Sequence, residues 1–140
     1  MNEVPLFDSV RPGLQAEYSL VVGQEHTARH LGSGGVDVLA TPEMVRMMER
    51  AAVMAVDHLL PDGYRTVGVR VDVTHKAPTP LGMKVTARAE LIAVDGRRLT
   101  FRVTAADERE VVGEGIHERA IIALDRFARK IEEKRGLKGQ

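Results

Sequence analysis

Apolar positions recur along the chain with two different periods. Tyr18, Leu20 and Val22 alternate with polar neighbours and predict a short strand. From Met44 to Leu60 the apolar positions are almost continuous, behind a helix start at Thr41-Pro42-Glu43. Threonine caps, proline suits the first helical position, and glutamate complements the positive end of the dipole. A helix is predicted from Thr41 to about Leu60, stopped by Pro61-Asp62-Gly63. Alanine, methionine, valine and leucine surround it, so it is expected to be mostly buried. Alternation then returns four times. Val67, Val69, Val71 and Val73 form one apolar face, Met83, Val85, Ala87, Ala89 and Leu91 the next. Asp95-Gly96 is a strong hairpin signal before Leu99, Phe101, Val103 and Ala105. Residues 110–124 give the fourth run, where Gly113 and Gly115 permit a bulge or a close approach. A charged amphipathic helix, about Asp125 to Arg135, follows. The first fifteen residues read as an irregular lead-in, and "LGSGG" at 31–35 as a flexible loop.

Long antiparallel strands with one polar face, together with one nearly all-apolar helix, have a simple joint solution. The sheet curls round the helix and buries it, an α+β layer arrangement. With 140 residues and no repeat or linker, one domain spanning 1–140 is expected.

Composition narrows the chemistry. Twenty basic and twenty acidic side chains cancel, so no chain-wide attraction to nucleic acid or to an anionic membrane is expected. The absence of cysteine excludes a disulfide framework, a thiolate metal site and a cysteine nucleophile. No signal peptide is visible at the N-terminus. The apolar stretch from Met44 to Leu60 carries Arg46, Glu49, Arg50 and Asp57, which argues against a membrane span. A cytoplasmic protein is expected.

Two polar residues stand in apolar places. His75 continues the register of Val71 and Val73. On the helix, Glu43, Arg46, Arg50 and Asp57 fall in a narrow polar stripe, whereas Glu49 lies about 90° from its centre. The helical neighbours of Glu49 are Val45, Ala52, Val53 and Val56, so its carboxylate is expected to be desolvated. If the sheet wraps the helix, His75 and Glu49 face one interlayer space. Either alone is explained as a satisfied core residue; together they mark a candidate site. Thr41 is fully explained as a cap, yet a cap also exposes a hydroxyl beside free backbone N–H groups. Thr41 and Glu49 are eight residues apart, about 12 Å of helix rise. A bridging substrate or a second subunit must join them if they share a site.

The stretches "LATPEMVRMMERAAV", "VGVRVDVTHKAPTPLGMKVTARAELIAVDGRRLTFRV" and "GEGIHERAII" resemble the thioesterase family typified by fluoroacetyl-CoA thioesterase, over roughly Leu39 to Lys130. The resemblance implies a hotdog fold, a long curved antiparallel sheet around a central helix, with a C-terminal helix here. It implies homodimers, or dimers of dimers, whose sheets join edge to edge with active sites between subunits. It implies catalytic roles for Thr41, Glu49 and His75, and substrate-lining roles for Gly68 and Arg119. The family's fluoroacetate-specific enzyme carries phenylalanines before the central helix, forming a lid; here "LGSGGVDVLA" has no aromatic residue.

Hydrolysis of an acyl-CoA thioester to a carboxylic acid and free CoA is therefore expected. His75 would be the general base. Glu49 would stabilise the imidazolium or activate water, and Thr41 would hold the carbonyl oxygen or act as nucleophile. Two other readings remain at this point, a hotdog acyl-CoA hydratase or dehydratase, and a non-catalytic acyl-CoA binding domain. Arg97, Arg98, Lys130, Lys134, Arg135 and Lys138 are candidate phosphate contacts, read more simply as a solvated charged face. His26, His30, His58 and His117 show no metal-ligand spacing. No cofactor, metal, nucleic-acid partner or membrane partner is expected.

Overall fold

The computed structural model describes residues 7–138 of the chain, with side chains to 136. The first six residues of the expected irregular lead-in, and the Lys138 side chain, lie outside the described residues. The central helix is α2 (Thr41–Val56), followed by a single 3-10 turn at Asp57–Leu59. Its buried face is Met44, Met47, Met48, Ala51, Ala52, Ala55 and Val56.

That face packs on an antiparallel sheet of β1 (Gln15–Val21), β2 (Tyr64–His75), β3 (Lys84–Asp95), β4 (Arg98–Asp107) and β5 (Val111–Ala123). The spatial order is β1-β3-β4-β5-β2. The alternation in β3 and β4 is realised as expected. Val85, Ala87, Ala89 and Leu91 line the core with Leu99, Phe101, Val103 and Ala105, all of them solvent-free. Alanines on both layers allow close approach, and the α2 methionines fill the remaining irregular space.

β2 corrects one expectation. Val67 and Val69 do not share a face with Val71 and Val73, because the register of β2 against β5 shifts between Gly68 and Arg70. Val69 is the extra residue of a bulge. Before it, Thr66 and Gly68 lie opposite the inward-facing Ile121 and Arg119; after it, Val71, Val73 and His75 lie opposite His117, Gly115 and Gly113. The β5 glycines serve close approach. A Cβ on Gly113 would collide with the Met44 thioether, and one on Gly115 with the Asp72 carbonyl and Val73. β5 also bulges, with Val112 unpaired between Gly113 and Val111.

β2 ends the sheet, so among the described residues no strand pairs with its outer edge, and Val69 and Val71 are 46% and 41% exposed. α3 (Leu124–Lys138) leaves β5 and is solvent-exposed along its described side chains. Among the described residues no helix is long and apolar enough to cross a membrane.

Candidate active site

The chain entering α2 is tied to the chain leaving β2. Leu39 N–H donates to the Thr79 carbonyl (2.8 Å) and Ala40 N–H to the His26 carbonyl (2.9 Å). Val38 and Pro80 form a bridge beside them. The N-terminus of α2 is thereby held against the end of β2, and Thr41 Oγ1 lies 2.7 Å from His75 Nδ1.

Thr41 is not the cap. Ala40 occupies that position in extended backbone (φ −72°, ψ 144°), and its carbonyl accepts the Met44 N–H at 3.0 Å. Thr41 is the first helical residue, so its hydroxyl is free of capping duty and bonds the imidazole instead. His75 Nε2 is buried without a partner. Burial pushes the His75 imidazole below its ordinary value, an effect that the nearby Ala77 backbone opposes only in part. His75 is therefore neutral near pH 7, as a base must be. Thr41 and His75 open onto a cavity of about 320 Å³, lined also by Ala28, Ser33, Gly34, Val36, Val38, Leu39, Lys76, Ala77 and Pro78. That volume suits a small ligand. Part of its wall is the glycine-rich loop after α1 (Ala28–Leu31), where Gly32 adopts φ 73° at the helix end.

Glu49, Gly68 and Arg119 form a second cluster, without Thr41 or His75. A Cβ built on Gly68 would lie 2.8 Å from Glu49 Oε2, 3.3 Å from His117 Cε1 and 3.4 Å from Arg119 Nη1. Gly68 thus leaves a methyl-sized space with a carboxylate, an imidazole and a guanidinium on its walls. Arg119 is only 6% exposed. Its Nε donates to Thr66 Oγ1 (2.8 Å), its Nη2 to the Thr66 carbonyl (3.1 Å), and its Nη1 lies 3.1 Å from His117 Nε2. Thr66 in turn donates its hydroxyl to Asp57 (2.6 Å) and its N–H to the same carboxylate (3.2 Å). Burial lowers the affinity of Arg119 for its proton, while Asp57 and Glu49 raise it.

His75 and Glu49 both face the sheet–helix interior, as expected, but within one chain they belong to separate groups. Three members of the second group escaped the sequence reading: His117, Thr66 and Asp57. His117 carried a usable signal, since it alternates with Arg119 and Ile121 as His75 does with its valines. The polar stripe of α2 also divides. Glu43 is 7% exposed and holds Arg46 at 2.7 Å, with the guanidinium 5.7 Å from the Tyr18 ring centre.

Known proteins show the same pattern. Residues 22–125 match the family described as fluoroacetyl-CoA-specific thioesterase. The fluoroacetyl-CoA thioesterase of Streptantibioticus cattleyicolor is 41% identical over 133 residues, covering 91% of this chain and 96% of the relative. A solved structure of a fluoroacetyl-CoA thioesterase, 40% identical, superposes with a TM-score of 0.82 over 89% of this chain and 97% of its own. Another, in complex with acetyl-CoA, gives 0.83 at 40% identity over 89% of this chain and 98% of its own. A hot-dog-like protein from Thermanaerovibrio acidaminovorans, 26% identical, gives 0.85 over 94% and 97%. These matches decide against the hydratase and the binding-domain readings. The chain belongs to the fluoroacetyl-CoA-specific thioesterase family and is a thioester hydrolase with the hotdog fold.

Proposed function

We propose that the protein hydrolyses acyl-CoA thioesters at two equivalent sites, each shared between two copies of the chain. The observation that carries the chemistry is the 2.7 Å contact between Thr41 Oγ1 and His75 Nδ1 at the mouth of a cavity. A hydroxyl within hydrogen-bond reach of a neutral imidazole is a nucleophile paired with its base. The Thr41 oxygen attacks the thioester carbonyl as His75 takes its proton. The positive end of α2 faces the oxyanion that develops. The C–S bond then breaks, and the CoA thiolate leaves with the proton from the His75 imidazolium. Water cleaves the resulting ester: Glu49 takes one proton from the water as its oxygen bonds the acyl carbon, the bond from that carbon to Thr41 Oγ1 breaks, and the proton passes on to Thr41 Oγ1, which restores the hydroxyl as the carboxylic acid leaves.

Glu49 reaches that site from the second copy. Along β2, Gly68 and His75 are seven residues apart, about 20 Å, so one chain cannot bring both to one carbonyl. The unpaired edge of β2 supplies the remedy. With Val69 set aside as the bulge, two β2 strands paired antiparallel about a twofold axis at Asp72 would set Gly68 of each copy opposite His75 of the other, inward-facing residue against inward-facing residue. The cluster of Glu49, Gly68 and Arg119 in one copy then faces the Thr41–His75 pair in the next. This register also covers the exposed valines of the edge. Residue roles follow: Thr41, His75 and Glu49 act on the thioester, and Gly68 and Arg119 line the space beside the acyl group.

The acyl group is addressed by a thiol-release assay across short, branched, medium-chain and aryl acyl-CoAs. Turnover of one class, lost in folded His75→Ala, is the expected result. Equal turnover in the variant would remove His75 from the scheme.

A further inference from the structure

Inside the second cluster, His117 is 1% exposed and both of its ring nitrogens are engaged. Arg119 remains protonated, so its Nη1–H donates across the 3.1 Å contact and His117 Nε2 must be the bare acceptor. The other nitrogen, Nδ1, then carries the proton and donates to the Arg70 carbonyl at 2.8 Å. That carbonyl directly follows the bulge at Val69, where the register of β2 has shifted. Phe101 of β4 stacks near the ring at 6.3 Å between centres. The charged groups facing the imidazole are Arg119 and Glu118 on β5 and Glu49 on α2. Glu118 is already held by Arg98 (3.1 Å) and Arg70 (3.7 Å).

We propose that His117 is a positioning residue: its neutral imidazole holds the Arg119 guanidinium beside the space left by Gly68, so turnover requires His117 as well as His75 to be unprotonated. This rests on the roles given above to Glu49 and Arg119. The geometry states the reason. Arg119 is clamped on one side by Thr66, which Asp57 anchors, and on the other by His117. Only the side towards Gly68 is left for substrate. Protonating His117 would place an N–H against an N–H and a cation 3.1 Å from a cation inside the protein. Arg119 would then leave its position, and the wall opposite Glu49 with it. Burial keeps the ring below its ordinary affinity for a proton; the bond to the Arg70 carbonyl opposes this in part, and the Arg119 charge reinforces it.

The test compares wild type with His117→Gln, whose amide offers both an acceptor and a donor but does not titrate. On the acid side, log(kcat/KM) for the best acyl-CoA of the thiol-release panel should approach a slope of two protons in wild type. It should fall to one proton in His117→Gln, where His75 alone remains. Equal slopes in the two proteins would overturn the proposal, because a purely structural histidine would change the plateau and not the proton count. A second measurement needs no substrate and no variant. In the resting protein, nitrogen NMR should show His117 with Nδ1 protonated and Nε2 bare. The Arg119 Nε–H resonance should collapse as His117 takes up its second proton. Persistence of that resonance through the titration would overturn the proposal even if the thioesterase scheme itself stood. Retained turnover in Glu49→Gln would instead count against that scheme and leave the Arg119 measurement decisive for His117.

Discussion

Thr41–His75 and Glu49–Gly68 are both built on α2 and β2, with Arg119 joining the second group from β5, yet the two groups are opposites in construction. Thr41 is exposed and its hydroxyl bonds an imidazole whose second nitrogen has no partner among the described residues. Arg119 is buried, and Thr66 and His117 engage three of its five N–H donors, one on each nitrogen. A group that must exchange a proton and form a bond needs an open valence. A group that supplies a field needs to stay still, because a preorganised charge costs no reorganisation when the reaction occurs. In the proposed scheme the first pair is the half that bonds the acyl group and the second cluster, Glu49 apart, the fixed half, one from each copy.

The largest effect should come from breaking the reacting half. His75→Ala is expected to lower kcat by about 10²–10⁴-fold with the fold intact by circular dichroism. A drop confined to KM would contradict its role as base. Filling the space in the fixed half should cost less. The Cβ of Gly68→Ala meets the flexible end of Glu49, so the protein should fold while Glu49 is displaced. A loss of up to about 10²-fold in kcat/KM is expected, with little change in melting temperature. Unchanged kinetics would show that this space is not used.

Acid separates the halves more gently. His75 and His117 are both pushed below their ordinary proton affinity by burial. The unfolded chain therefore binds more protons than the folded one as pH falls through about 6.5, the ordinary histidine value. Stability should decline from there, and the loss should be complete once pH lies below the folded values. Melting temperature followed against pH checks the sign; a rise on acidification over that window would contradict it. The smallest effect is expected from Asp57→Asn, which keeps an acceptor for Thr66 but removes a negative charge near Arg119. A destabilisation of about 1–3 kcal/mol in urea is predicted, with turnover reduced less than in Gly68→Ala.

Much of this was legible in the chain. β3 and β4 read correctly because their buried faces alternate without interruption from Val85 to Leu91 and from Leu99 to Ala105. β2 misled because valines stand at every other position on both sides of a bulge, and the extra residue resets the parity without changing the pattern. Gly68 was the visible warning, since glycine inside a strand often marks a bulge or a close approach. Thr41 was misplaced by one residue, which matters because a capping hydroxyl is spent and a first-turn hydroxyl is free. His75 and Glu49 stood out as polar groups among apolar ones, whereas His117 was masked by Ile116 and Ile122, which give β5 apolar residues on both faces. The proposed division of the site between two copies was not legible by register alone. Nothing in one chain's periodicity says what pairs with an unpaired edge; the family resemblance suggested it, and the separation of the two halves within one protomer supports it.

That shared site is tested most directly by complementation. His75→Ala and Glu49→Gln chains, each inactive as its own dimer, would be co-expressed with different tags and compared with wild type. A mixed dimer retains one site with His75 from one copy and Glu49 from the other. Random pairing should then restore about one quarter of wild-type turnover. Activity no greater than that of the two separate variants, with mixed dimers demonstrably present, would place His75 and Glu49 of one site in one chain and contradict the account.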